Sequence, residues 1–212
     1  MPPTLDHELS LHAQGFSLVA GLDEVGRGCW AGPVVAAAVV LPLERLREGP
    51  GLLAGVDDSK RLTARQREEA AGRIREAALG VGLGLASPAL VDALGIVGAT
   101  RLAMRQALGR LPLAPDFLLV DGLLRLNLSR PQRALVHGDA RCLSIAAASV
   151  VAKVYRDALM VEWDAGYPGY GFAAHKGYGT RRHQEALRWL GPCPLHRRSF
   201  APVARRLSAG PR

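Results

Sequence analysis

Residues 20–41 read AGLDEVGRGCWAGPVVAAAVVL and set two adjacent carboxylates, Asp23 and Glu24, between apolar runs that read as buried strands. A buried carboxylate without a partner is costly. Two unit charges 4 Å apart also repel by roughly 4 kcal/mol at an effective dielectric of about 20. A compensating positive charge is therefore required. Two further acids stand where strands end, Asp121 in FLLVDG and Asp139 in HGDARC. Read singly, Asp121-Gly122 suits a turn and Asp139 suits the start of a helix. Read together, four oxygen-donating side chains suit hard divalent cations, Mg²⁺ or Mn²⁺, a pair of which could activate water and stabilise a leaving oxygen in a two-metal mechanism. Asp23, Glu24, Asp121 and Asp139 are therefore candidates both as catalytic residues and as metal ligands.

Basic and aromatic residues near these acids are candidates for holding a substrate. Only three of the 27 basic residues are lysines, namely Lys60, Lys153 and Lys176. In a chain so biased toward arginine, each lysine marks a place where a compact ammonium is useful, although chance retention explains any one of them equally well. Lys153 follows Ser149 by four residues and shares its helical face. Gly26, Arg27 and Gly28 follow the acid pair; glycine lets backbone approach a ligand and arginine grips phosphate, but a hairpin turn uses the same residues. Tyr178, between Gly177 and Gly179, can stack on a sugar or base, or can serve as a half-buried loop residue.

These groups need elements to position them. Residues 16–25 and 34–41 read as strands joined by the glycine-rich turn 26–32, hence an antiparallel pair. Thr63 and Gln66 form a capping box that opens a helix to about residue 79. Residues 81–86 read as a strand. Ser87-Pro88 starts a helix that runs to about 111 and is expected to break at Gly95 and Gly98. Short strands are expected at 117–120 and 134–137, a long helix from 144 to about 163, a loop over 167–179 and a helix over 181–190. The order predicts a mixed α/β sheet with a helical C-terminal part. In open α/β sheets the ligand crevice lies beyond the carboxyl ends of strands, where the acids fall.

Charge narrows the class of partner. The net charge is +8, and residues 181–212 hold eight arginines against one acid, Glu185, so almost the whole excess sits at the C-terminal end. A basic segment on a near-neutral body points to a polyanion, with nucleic acid first among the candidates. The three cysteines form no CxxC, which signals neither a disulfide framework nor a zinc site. The longest uncharged apolar run, 33–43, is too short to span a bilayer, and acidic residues interrupt the N-terminus where a leader would stand. A cytoplasmic monomer without membrane attachment is the expectation.

The stretches GLDEVGRGCWAGPVVAAAVVL, DDSKRLT, FLLVDG, HGDARCLSIAAASVVAKVYRD, YPGYGFAAHKGYGT and HRRSFAPV together resemble the ribonuclease HII family, in its order, from about residue 18 to 203. The resemblance implies a ribonuclease H-like mixed five-stranded sheet flanked by helices, with a C-terminal helical extension. It implies a catalytic domain over 16–165 and a helical, basic substrate-binding extension over 166–212, either separate or packed with the first part as one domain. The implied activity is cleavage of the RNA strand of RNA–DNA hybrids and nicking on the 5′ side of ribonucleotides embedded in duplex DNA. The product ends would be a 5′-phosphate and a 3′-hydroxyl. The family's four acids match Asp23, Glu24, Asp121 and Asp139, its GRG element matches Gly26, Arg27 and Gly28, its junction-sensing tyrosine matches Tyr178, and its DSK lysine matches Lys60. Two other readings remain open: a non-catalytic nucleic-acid-binding protein of the same fold, and a nuclease acting on DNA junctions.

Overall fold

The structure is a computed structural model and describes residues 2–208. Helix α1 (Asp6–His12) precedes strands β1 (Val19–Val25) and β2 (Val34–Val40). Then follow α2 (Leu43–Glu48), α3 (Ala64–Ala77), β3 (Gly80–Ala86), α4 (Pro88–Gly109), β4 (Phe117–Asp121) and β5 (Gln132–Leu135). Helix α5 (Leu143–Gly166) and three shorter helices, α6 (Phe172–His175), α7 (Arg181–Leu190) and α8 (Ala201–Ser208), complete the chain.

The five strands form one sheet in the order β3-β2-β1-β4-β5. Strands β1 and β2 pair antiparallel, as do β2 and β3, while β4 runs parallel to β1 and β5 parallel to β4. The mixed sheet with flanking helices and a helical C-terminal part is the predicted architecture. Strand β2, VVAAAVV, is buried at every position because both of its faces are covered. Val35, Ala37 and Val39 pack with Ala70, Ala71 and Ile74 of α3 and with the alanine-rich stretch of α5. Val34, Ala36, Ala38 and Val40 pack with Ala99, Ala103, Met104 and Ala107 of α4 on the other face. Small side chains on the helices and the central strand bring the layers close.

The capping box of α3 forms as expected: Thr63 accepts from the Gln66 N–H, and the Gln66 side chain accepts from the Thr63 N–H. Other expectations need correction. Gly95 kinks α4 with φ of 66°, but Gly98 stays helical, because it lies within the length of α4 that packs on the sheet. Strand β5 lies two residues earlier than expected, since His137 takes a left-handed conformation and starts a 3₁₀ turn, Gly138–Ala140. The loop over 167–179 contains α6. Helices α1 and α2 were not foreseen; both are short, and neither has a side-chain cap to announce it. Among the described residues no helix is long and apolar enough to cross a membrane.

Candidate active site

Parallel pairing sets the first two acids side by side. Leu22 of β1 stands opposite Val120 of β4, so the next residues, Asp23 and Asp121, are neighbours across the strands. Both belong to the face covered by α5: Gly21 meets Ser144 of α5, and Leu119 packs with Ile145. Strand alternation directs Glu24 to the opposite face, yet at the end of the strand both acids line one cavity and the Glu24 charge acts on Asp23. Glu24 lies next to the end of its strand and turns to Arg27 at 3.0 Å. Asp139 arrives from the 3₁₀ turn after β5. It is 4% exposed and holds Lys60 Nζ at 2.7 Å.

A cavity of 240 Å³ opens there, lined by Asp23, Glu24, Gly26, Arg27, Ser59, Lys60, Asp121, Ser149, Lys153 and Tyr178 with Val25. The sequence-predicted residues therefore largely converge. Asp139 stands beside this cavity through its bond to Lys60. Gly28 is exposed on the same turn but does not line the cavity. Lys176 is not brought to the acids: it lines a neighbouring cavity of 920 Å³, shared with Lys153, Asp157 and Tyr178, and its ammonium bonds the Ala173 carbonyl.

The electrostatics are those of under-compensated acids. Burial, then the charges of Glu24 and Asp121, push Asp23 well above the ordinary carboxylate range, against the opposing bonds from Ser149 and the Glu24 N–H. Burial raises Glu24, although the bond and charge of Arg27 oppose it. Burial and the Asp139 charge raise Asp121, against N–H bonds from Gly138, Asp139 and Gly122. Burial works against the Lys60 ammonium, but the bond and charge of Asp139 prevail and lift its pKa above the usual lysine value. Among the described residues no three His, Cys, Asp or Glu side chains form a finished metal cage. The pairing explains why: Asp139 turns to Lys60 and Glu24 to Arg27, which leaves Asp23 and Asp121 in the middle. A donor set made only of carboxylate oxygens, with Asp23, Glu24 and Asp121 raised first by burial and then by neighbouring charge, fits Mg²⁺ or Mn²⁺.

Sequence reasoning missed two residues that shape the site. Arg156 of α5 and Arg197 in the loop before α8 are fully buried. Neither guanidinium makes an ion pair among the described residues; both are spent on carbonyls. Arg156 bonds Pro33, Ala31 and Lys176 at 2.8–3.1 Å. Arg197 bonds Gly32, Arg27 and Gly26 at 2.7–3.0 Å. Burial and the nearby Arg156 charge pull Arg197 down to about 10. Gly26, with φ of 90°, has a second reason to be glycine, since a Cβ there would stand 2.2 Å from Arg156 Nε. The two arginines thus fix the turn 26–33 from beneath. In a chain with 24 arginines and three lysines, nothing marks these two out.

Tyr178 presents a 41% exposed side to the cavity, with Lys153 Nζ 5.7 Å from its ring centre. Lys153 also bonds Asp157 at 2.8 Å. Ser149 Oγ lies 2.9 Å from Ser59 Oγ, tying the DSK loop to α5 beside Asp23.

Comparison with known proteins bears on this geometry. The family described as Ribonuclease HII matches residues 20–203. A protein named Ribonuclease HII from Chloroflexus aurantiacus is 57% identical over 203 residues, 96% of this chain and 95% of its own. The crystal structure of the ribonuclease H2 from Pyrococcus horikoshii OT3 superposes with a TM-score of 0.77 at 25% identity, over 91% of this chain and 98% of that one. A Bst-RNase HIII structure in complex with Mn²⁺ shares the fold at a TM-score of 0.68 and 19% identity, over 95% of this chain and 72% of that one.

Proposed function

The chain belongs to the ribonuclease HII family and is a ribonuclease H-type endonuclease, and from that premise we propose that it cuts the RNA strand of RNA–DNA hybrids and nicks duplex DNA on the 5′ side of an embedded ribonucleotide. The products would carry a 5′-phosphate and a 3′-hydroxyl. One observation carries the reading: the neighbouring acids Asp23 and Asp121 share a cavity with the GRG turn, Lys60, Lys153 and Tyr178.

Asp23, Glu24, Asp121 and Asp139 would hold Mg²⁺ or Mn²⁺, which when bound activates water and stabilises charge developing on a leaving oxygen. The Mn²⁺ complex of the Bst-RNase HIII relative supports that choice of metal. The chain's own residues do the rest. Turn 26–28, clamped through its carbonyls by Arg197, offers backbone groups to the ribose 2′-hydroxyl, the atom that separates RNA from DNA. Tyr178 packs its ring against the next deoxyribose. Lys153 steadies that ring by a cation–π contact. Lys60 and Lys153 bring positive charge to the backbone phosphates at the cavity, and the arginine-rich C-terminal segment holds phosphates without regard to sequence. Residues 16–165 form the catalytic part in this reading and 166–212 the substrate-holding part; the last four residues of that range lie outside those the structure describes. It also carries action as a monomer in the cytoplasm.

The test is cleavage of a DNA duplex with one embedded ribonucleotide, with Mg²⁺, Mn²⁺ or chelator, beside a long hybrid and an all-DNA duplex. Metal-dependent nicking at the ribonucleotide is expected. Binding without cleavage at any metal concentration would select a binding protein, and cleavage of the all-DNA duplex a junction nuclease.

A further inference from the structure

Tyr178 stands on backbone that ought to wander. Lys176 and Gly177 both have positive φ, and Gly179 follows. Beneath them lie three buried histidines, His175, His183 and His196, with Phe172 among their rings. Their protonation pattern follows from their partners, because a backbone N–H can only donate and a carbonyl can only accept. The Cys193 N–H donates to His196 Nδ1 at 3.0 Å, so the proton of His196 is on Nε2. That Nε2–H faces His183 Nε2 at 3.1 Å. His183 therefore accepts there and donates from Nδ1 to the Tyr178 carbonyl at 2.9 Å. The three bonds run in one direction, and each ring carries a single proton. His175 completes the cradle in the same way, accepting the Gly177 N–H at Nδ1 and donating from Nε2 to the Tyr170 carbonyl at 2.8 Å. The Thr180 N–H takes the other lone pair of the Tyr178 carbonyl at 2.8 Å.

We infer that His183 and His196 are positioning residues that set the Tyr178 ring for recognition of a single ribonucleotide in duplex DNA, through a directional relay from the Cys193 amide to the Tyr178 carbonyl. The inference rests on the proposed role of Tyr178. The relay joins the loop after α7 to the residue that faces the deoxyribose, so the C-terminal helices govern selectivity without touching the nucleic acid at that point. A second proton on His183 would place two N–H groups against each other between the rings, and one on His196 would set its Nδ1–H against the Cys193 N–H, so the relay works only with neutral rings. Burial supplies that condition first, and the mutual repulsion of the rings adds to it for His196; both are held near 4.

The experiment compares kcat/KM on a single-ribonucleotide duplex and on a long hybrid for four proteins: wild type, Tyr178→Ala, His183→Phe and His183→Asn. Asparagine can place an amide N–H near the Nδ1 position, whereas phenylalanine offers none. Misplacing an aligning group by about 1 Å can cost about a hundredfold. His183→Phe is expected to lose about tenfold or more on the single ribonucleotide and little on the hybrid, as Tyr178→Ala does, while His183→Asn recovers most of the loss. Equal losses on both substrates for a folded His183→Phe, with Tyr178→Ala still selective, would overturn the relay. No selectivity change in Tyr178→Ala would overturn the role of Tyr178, and this inference with it. Should His183→Phe fail to fold, imidazole ¹⁵N spectra of the wild type decide. The relay requires His183 protonated on Nδ1 and His196 on Nε2, and the opposite tautomer at either ring refutes it.

Discussion

Asp23→Asn should make the metal-free protein more stable while abolishing cleavage. Asp23 is 5% exposed and shares its face of the sheet with Asp121 on the adjoining strand. Strands in a sheet lie about 4.8 Å apart, so the two carboxylates repel by roughly 3 kcal/mol at an effective dielectric of about 20. The Glu24 charge raises Asp23 more than the Asp121 charge does, while Ser149 and the Glu24 N–H relieve part of the repulsion. The asparagine Oδ1 keeps the bond from the Glu24 N–H, at 2.7 Å in the native chain, so the substitution removes charge rather than geometry. A net gain of about 1–3 kcal/mol follows, and at about 2–4 °C per kcal/mol for a chain of this size the melting temperature rises by about 2–12 °C. The assay is thermal and urea unfolding of both proteins in chelator and then in millimolar Mn²⁺. In chelator the variant should melt higher, and added Mn²⁺ should stabilise the wild type more. A variant less stable than the wild type in chelator would show that Asp23 is already compensated within the fold.

Other perturbations test the scaffold. Gly21→Ala would put a Cβ 2.2 Å from the Ser144 carbonyl carbon, forcing α5 away from β1; urea melts should show a loss of about 3 kcal/mol and cleavage should fall with it. Glu8→Ala removes the carboxylate that accepts the Ser144 N–H at 2.7 Å and the Cys142 thiol at 3.2 Å, where the Cys142 side chain gives α5 no cap of its own. It should cost about 1–3 kcal/mol in denaturant, and Glu8→Gln, which keeps an acceptor oxygen, should cost less. His183 and His196 have native pKa values near 4 against 6.5, so from about pH 6.5 down to 4 the unfolded chain takes up protons that the folded rings refuse. Their contribution to stability is complete above pH 6.5 and falls as the pH drops. The wild type should therefore lose more stability between pH 7 and pH 5 than His196→Gln does, and equal losses would argue that the native ring accepts a proton readily.

The parts of the site that were legible in the sequence have local signatures. Asp23, Asp121 and Asp139 each follow an apolar run into a glycine or a turn, and strand-end chemistry makes such positions conspicuous. The capping box at Thr63 is readable because both of its bonds lie within four residues. What stayed hidden depends on tertiary pairing. Alternation along β1 turns Asp23 and Glu24 to opposite faces, and only the pairing of β1 with β4 sets Asp121 beside Asp23. Arg156 and Arg197 look like surface arginines, and only the fold places them beneath the turn at 26–33. Glu8 reads as one more acid of a polar N-terminal segment until α5 arrives 136 residues later. Half of the six histidines fall at 175, 183 and 196. That clustering was the one available hint of the relay, but spacing alone gives neither burial nor direction.

The distribution of positive charge explains how the site keeps four acids close to one another and, on the proposed function, would leave them open to a metal. The two arginines with the deepest burial are spent on backbone carbonyls of the turn, so they stiffen it and contribute no pairing to the carboxylates. The cations that do meet the acids come from the exposed side: the Lys60 side chain is 77% exposed and that of Arg27 is 47% exposed. Only the cation of each pair is exposed, since the side chains of Asp139 and Glu24 are 6% and 11% exposed, so solvent screens the two pairs in part. On the proposed function, Lys60 and Arg27 would leave Asp139 and Glu24 to make room for a divalent ion, and the freed side chains would turn to phosphate. Had Arg156 or Arg197 reached Asp23 instead, the pair would have been buried and well bonded, and expelling it would have cost several kcal/mol. The acids stay available because the strongest cations of the neighbourhood are occupied with the backbone.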